Sequence, residues 1–248
     1  MRNNRVLAIV NLIFYIIMVA VNYLANALPI NDRTTGDISD SLPIIFEPAG
    51  YAFSIWSLIY ILLGIWVIKQ FFAKGEQKIA YLKVGFWFAG NAMLNSLWIL
   101  AFHYEMFIIT LILMAAILIT LIVIYSKVKV PGKQPFLLRA PISIYMGWIS
   151  VASIVNVFIF FYTQDIESFL GLSEFPWVLI MLAVGGVLAL FVNMKEGDIL
   201  YPLVFIWAYI AIIVKEADQQ AVAYTALTII VLLAARIVFF AIKNRWKN

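Results

Sequence analysis

The chain has 248 residues, of which 65% are hydrophobic and 12% charged, and its mean hydropathy is +1.00. A soluble protein of this length keeps a large surface in water, so this composition excludes a soluble globular protein. In a membrane protein the formal charge of +4 mainly reflects topology, so it does not indicate a nucleic-acid partner. The absence of cysteine excludes disulfides, thiolate chemistry and cysteine metal sites.

Continuous apolar runs of about 20 residues predict transmembrane helices, since that length spans the hydrocarbon core. The runs show no alternation of apolar and polar residues, which favours helices over barrel strands. Eight runs occur, at 6–28, 51–68, 84–102, 106–125, 140–162, 176–192, 199–214 and 221–242. The sequence therefore predicts an all-α integral membrane protein with eight transmembrane helices, the seventh being the shortest.

The distribution of charge supports eight crossings with both termini in the cytoplasm. In that arrangement all of the 17 basic residues except Arg33 and Lys215 lie on or near the inner side. Of the 13 acidic residues, all but Glu76, Glu196 and Asp198 lie outside. We therefore expect a bacterial cytoplasmic membrane protein with its N- and C-termini inside.

The first apolar run has two interpretations. Basic residues before it and Ala25-Asn26-Ala27 after it resemble a secretory signal with its cleavage site. However, the run is long for a signal core and contains Asn11 and Asn22, which share one helical face. A shared polar face favours a retained helix packed in a bundle.

The connection 29–50 is the one long loop, and it is acidic. Loops of this length without secondary structure are often lids or binding loops. A simple solvated acidic loop is an equal alternative, and the aspartates lack the regular spacing of a calcium loop.

Three segments place aromatic and amide side chains at helical spacing. Trp56 and Tyr60 are separated by four residues and share a face of the second helix. The third helix carries Asn91, Leu94, Asn95 and Trp98, and the fifth carries Tyr145, Trp148, Ser150, Ala152 and Asn156.

These segments resemble the TspO/MBR family of tryptophan-rich sensory or translocator proteins. The matched positions are Phe46, Pro48, Trp56 and Tyr60 at the second helix, Leu94, Asn95 and Trp98 in the third, and Tyr145, Trp148, Ser150, Ala152 and Asn156 in the fifth. The chain departs from the family pattern where Tyr51 replaces a tryptophan, Asn91 a glutamine and Ile144 a proline. The resemblance implies a five-helix bundle over 1–162, followed by three additional helices over 163–248.

The resemblance also implies a ligand, a tetrapyrrole such as porphyrin or haem, or a sterol-like lipid. These side chains are expected to line a cavity inside the bundle, where flat aromatic faces and a few amides suit a large planar apolar ligand. The predicted ligand-binding residues are Trp56, Tyr60, Asn91, Asn95, Trp98, Tyr145, Trp148 and Asn156. No cofactor is required, because porphyrin or haem would be the ligand itself.

Each of these residue types also has a purely structural role in membrane helices. Intramembrane amides often only join neighbouring helices, which is our interpretation of Asn11 and Asn22. Tryptophans near helix ends usually anchor to the interface, and we assign Trp66, Trp87, Trp177 and Trp246 to this role. His103, the one histidine, is more simply an interfacial residue than an iron ligand, and no metal site is predicted.

The sequence thus favours a membrane sensor or binding protein, with a permease that uses the three additional helices as the alternative. No hydrolytic triad, phosphate loop or buried carboxylate pair indicates a dedicated enzyme. Light-dependent porphyrin degradation, which the resemblance implies for some members, is neither supported nor excluded. The expected partners are the lipid bilayer and a small hydrophobic ligand, not nucleic acid, and a homodimer is compatible with this pattern.

Overall fold

In a computed structural model, residues 4–28, 30–131 and 135–245 are described. They form ten α-helices: α1 (Asn4–Ala27), α2 (Thr35–Asp40), α3 (Ile55–Phe72), α4 (Gly75–Val84), α5 (Trp87–His103), α6 (Phe107–Lys127), α7 (Phe136–Thr163), α8 (Glu174–Glu196), α9 (Leu200–Lys215) and α10 (Gln220–Arg245). Short 3-10 helices occupy Ile30–Asp32 and Gly50–Ser54. Two antiparallel strands, β1 (Ser168–Phe169) and β2 (Leu172–Ser173), form a hairpin in which Ser168 pairs with Ser173.

The protein is an all-helical integral membrane protein, as the composition predicts. Six described helices are long and apolar enough to cross a membrane, and a seventh span results if the bent pair α4 and α5 is counted together. Helix α9 is apolar but has only 16 residues. The eight predicted runs each overlap a helix, whereas the count of eight crossings stays a prediction.

Helix α4 is an element that hydropathy does not predict, because it lies in the basic connection before the third apolar run. It meets α5 at an angle of 49°. The bend is at Gly85, whose φ of 57° and ψ of −128° suit glycine and whose N–H donates to Tyr81 O. Ala80, Tyr81 and Val84 are buried, so one face of α4 packs on the protein.

The prediction that Trp66 anchors α3 at the membrane interface is wrong. Its side chain is fully buried, and its Nε1 donates to Leu138 O at 3.0 Å. The indole lies between Tyr81 and Phe88, at centroid distances of 4.6 and 5.0 Å. Trp87 does expose 44% of its surface, while Trp246 lies outside the described residues.

The long connection carries its own structure. Thr34 and Asp37 form a capping box at the start of α2, and Arg33 donates to Ser41 Oγ and to Glu105 Oε1, both at 2.6 Å. Ile38 of α2 is buried. The connection therefore has an ordered segment that packs on the end of α5, in addition to its exposed acidic residues.

The capping box predicts a pH dependence for α2. The Thr34 backbone N–H and hydroxyl, with the nearby Arg33 guanidinium, hold the pKa of the Asp37 carboxyl below its usual value. Since an unfolded aspartate has a pKa of about 3.9, this carboxylate stabilises α2 above that pH, and the contribution is lost as the pH falls through the lowered pKa. We expect amide-exchange protection in 37–41, corrected for intrinsic rates, to fall between pH 5 and 3. Protection in Asp37→Ala should already be low at pH 5, and equal protection in the two proteins would contradict this account.

Asn11 and Asn22 of α1 both hydrogen-bond to neighbouring helices, which confirms their predicted packing role. Asn11 Nδ2 donates to Gln70 Oε1 at 3.0 Å, and Asn22 Nδ2 donates to Asn95 Oδ1 at 2.8 Å. Tyr15 adds a third link from α1, through its hydroxyl to Tyr60 O. Buried amides and hydroxyls thus fix the register of α1 against α3 and α5.

The chain divides into two compact units. The first comprises Met1–Leu42 and Ser54–Ile149, and the second comprises Pro43–Phe53 and Ser150–Asn248. The division falls within α7, and it groups the end of the long connection with the C-terminal helices. This division is based on packing alone. The boundary between residues 162 and 163, which the family resemblance implies, stays a prediction.

Within the second unit, two glycines allow helices α8, α9 and α10 to pack closely. A Cβ on Gly185 would collide with Tyr209 and with Phe205 at 3.0 Å, and a Cβ on Gly186 would meet Ile229 at 2.5 Å. The Tyr209 hydroxyl then donates to Leu182 O at 2.7 Å. The glycine pair therefore permits close helix packing in this unit.

Candidate functional site

A stacked aromatic pair marks the first turns of α3. The rings of Trp56 and Tyr60 lie 5.4 Å apart with an interplanar angle of 20°. Both side chains are only half-buried, while Ile55 and Ile59 on the same helix are buried. The spacing of four residues therefore produces the shared ring face that the sequence predicts.

Tyr145 of α7 contacts the Trp56 ring of this pair. Its ring meets Trp56 edge to face, at a centroid distance of 5.7 Å and an angle of 63°. Edge-to-face contact is a favoured arrangement of aromatic rings. Tyr145 is 1% exposed, so the half-buried pair lies against a fully enclosed ring.

Two amides hold the Tyr145 hydroxyl in place. Asn95 Nδ2 donates to Tyr145 Oη at 3.0 Å, and Asn95 Oδ1 accepts from Asn22 Nδ2 at 2.8 Å. Asn22 also donates to Met18 O. We call Trp56, Tyr60, Tyr145, Asn95 and Asn22 the aromatic–amide cluster. Helices α1, α3, α5 and α7 each contribute to it, so the cluster depends on the packed first unit.

The structure thus brings together four of the eight predicted ligand-binding residues, and adds Asn22. Asn22 was assigned to helix packing alone, although its place on the polar face of α1 is a signal that could have indicated this role. The contact with Asn95 could not be derived from spacing within one helix.

The other predicted residues make different contacts. Asn91 faces α6, where its Nδ2 donates to Ile117 O at 3.1 Å and Thr120 Oγ1 at 2.8 Å. Trp98 stacks on Phe102 at 5.1 Å. Trp148 is 2% exposed on α7. Asn156 belongs to the second unit, where its Nδ2 donates to Ala152 O. Their assignment to a ligand site stays a prediction.

His103 holds the long connection on the end of α5. Its ring is fully buried, with Nδ1 3.1 Å from Ile30 O and Nε2 3.0 Å from Thr35 Oγ1. Because a carbonyl only accepts, Nδ1 donates to Ile30 O, and Nε2 shares a hydrogen bond with the Thr35 hydroxyl. Both nitrogens are engaged, so the histidine ties the connection to the end of α5, and the absence of an iron-ligand role stays a prediction. Within the described ranges no group of three or more His, Asp or Glu is arranged to hold a metal ion.

The segment before α3 is fixed by the C-terminal helices of the second unit. Glu47 forms an ion pair with Lys215, Ala49 N donates to Ala211 O at 3.1 Å, and the Ala52 carbonyl accepts from Trp207 Nε1 at 3.1 Å. The segment leads directly along the chain to Trp56. Helix α9 therefore holds the segment 47–52 within the second unit.

Lys215 and Trp207 contribute to this region although neither is among the predicted site residues. A signal for Lys215 was present, because it is one of two basic residues predicted outside among many acidic ones. Trp207 gave no comparable signal, since tryptophan is common in membrane helices.

Two cavities lie among the described residues, and none of the eight predicted ligand-binding residues lines either of them. One, of about 240 Å³, lies between the β1–β2 hairpin and the adjoining ends of α7 and α8. The other, of about 690 Å³, lies beside the bend between α4 and α5. Neither cavity is formed by the aromatic–amide cluster. The cluster is a half-buried ring pair that packs against the buried Tyr145.

Comparison with known proteins gives one match. A family model described as TSPO-like protein matches residues 8–239. No match was found among curated proteins or among solved structures. The family match continues through α8 and α9 and into α10, well past residue 162, where the motif resemblance ends.

Proposed function

Because the chain belongs to the TSPO-like protein family, we propose that it is a membrane binding or sensor protein that takes a planar apolar ligand on the ring face of Trp56 and Tyr60. The ligand class is a tetrapyrrole such as porphyrin or haem, or a sterol-like lipid. The single observation that carries the proposal is the stacked, half-buried pair on the amide-fixed Tyr145.

The geometry supports a planar ligand for two reasons. The half-buried indole of Trp56 can gain from offset stacking with another flat ring. The pair is also preorganised: Tyr15 bonds the backbone of Tyr60, and Asn95 fixes the ring that supports Trp56. A site whose side chains are already ordered loses less entropy on binding.

The cluster supplies ring faces and amides but no imidazole or thiol. Since both nitrogens of His103 are engaged, binding depends on the macrocycle and not on its metal. Protoporphyrin and haem should therefore bind with similar affinity.

The first test is a titration of the protein in nanodiscs with protoporphyrin, followed by the shift of the porphyrin absorption band. Trp56→Leu should weaken binding by about tenfold, because it removes stacking worth about 0.5–1.5 kcal/mol and part of the buried apolar area. Trp56→Phe, which keeps a ring, should lose less. The matched control is Trp87→Phe, at an exposed tryptophan of α5, and its affinity should be unchanged.

Thermal unfolding of each variant separates loss of the site from loss of the fold. Unchanged affinity in both Trp56→Leu and Tyr60→Leu would overturn the proposal. Flux of the porphyrin across sealed vesicles distinguishes the permease alternative, since a binding protein should show saturable occupancy without flux.

A further inference from the structure

The groove at the bend between α4 and α5 has a distinctive lining. Its volume is about 690 Å³, and it is bounded by residues of α4, α5 and α6 in the first unit. The lining residues are Lys83, Val84, Gly85, Phe86, Trp87, Gly90, Met93, Leu94, Leu97, Thr120 and Lys127. It shares none of them with the aromatic–amide cluster.

The groove is cationic at one end and apolar along its length. Lys83 is in the last turn of α4 and Lys127 in the last turn of α6. No acidic residue lines the groove. Phe86, Met93 and Leu97 are among its exposed apolar side chains. Two ammonium groups above an apolar channel match an anionic head group above an acyl chain.

The length of the groove corresponds to one leaflet of a bilayer. From Phe86 to Leu97 the helix rises about 16 Å, roughly half of a hydrocarbon core of ~30 Å. Trp87, which is 44% exposed, lies at the charged end, where tryptophan commonly marks the membrane interface. The charge distribution predicts that this end faces the cytoplasm, the side on which anionic lipids and basic pockets between helices meet.

Gly90 keeps the groove open at its middle. A Cβ at this position would have no heavy atom within 4 Å, so no neighbouring side chain fills the space. The helix could therefore accept a larger residue here without collision, which provides a test independent of charge.

We propose that this groove binds an anionic phospholipid, with the phosphate between Lys83 and Lys127 and one acyl chain along α5 past Gly90 and Leu97. A second copy of the chain is a poorer occupant. In a two-fold dimer with its axis along the membrane normal, the lysines of both copies would meet at the same depth and repel each other. A phosphate instead neutralises them.

The test compares phosphatidylglycerol with phosphatidylcholine by native mass spectrometry of the full chain released from mixed-lipid micelles. The wild type should retain one phosphatidylglycerol in preference to phosphatidylcholine. The double variant Lys83→Gln/Lys127→Gln should lose about 30-fold in phosphatidylglycerol affinity, since each lysine near a charged surface contributes about fivefold. The matched control, Lys74→Gln/Lys78→Gln, removes the same charge from the start of α4, outside the groove, and should keep the preference.

Gly90→Leu should reduce retention of both lipids by filling the channel, with thermal unfolding confirming that the variant is folded. The proposal is overturned if the double variant keeps the preference, if the control loses it equally, or if the wild type forms a lipid-free dimer that Gly90→Leu disrupts.

Discussion

Lys215→Met is expected to destabilise the protein by about 3–5 kcal/mol, because it removes the ammonium group that neutralises the buried Glu47 carboxylate. Glu47 is 2% exposed, whereas the Lys215 side chain keeps 29% of its surface. Loss of the ion pair is therefore expected to lower the free energy of unfolding mainly through the Glu47 carboxylate, which stays buried. Reversible unfolding in mixed micelles measures the free energy.

The double variant Glu47→Gln/Lys215→Met removes both charges and should recover most of this loss, since replacing a whole buried pair is often nearly neutral. The matched control is Glu105→Gln, in the ion pair with Arg33, whose side chains are 47% and 35% exposed. It should cost no more than about 1 kcal/mol. A Lys215→Met variant as stable as Glu105→Gln would contradict a buried role for the pair.

Trp66→Ala is expected to cost about 3–5 kcal/mol, the usual range when a large core side chain is truncated. The variant loses contacts with Tyr81 and Phe88 and leaves Leu138 O without its indole donor. Lipid cannot reach a fully enclosed site, so the cavity stays unfilled.

Trp87→Ala is the control, because Trp87 is 44% exposed and its removal opens no enclosed cavity. It should cost less than about 1 kcal/mol. Comparable losses in the two variants, measured by the same unfolding assay, would show that Trp66 is not a packing residue.

The sequence predicts the membrane helices well, because a long apolar run has few alternatives to a helix in lipid. The sequence does not predict α2 and α4. Both helices are short, so their helical state depends on packing against other parts of the protein. Trp66 illustrates the same limit. Its place near the end of α3 suggests an interfacial anchor, but burial is decided by Tyr81 on α4, an element that hydropathy does not reveal.

The aromatic–amide cluster shows which part of a site local spacing can predict. The i, i+4 spacing of Trp56 and Tyr60 suffices to place both rings on one face. The link from Asn95 to Tyr145 requires the packing of α5 against α7, which no single helix specifies. Asn91 lies one turn from Asn95 yet bonds α6, so shared helical spacing alone does not decide which amides meet.

The most direct test of the account is a structure of the full chain determined with protoporphyrin bound in nanodiscs. The account predicts the macrocycle stacked on the exposed faces of Trp56 and Tyr60, with Tyr145 still held by Asn95. A macrocycle bound elsewhere, with the Trp56 face left open to lipid, would contradict it.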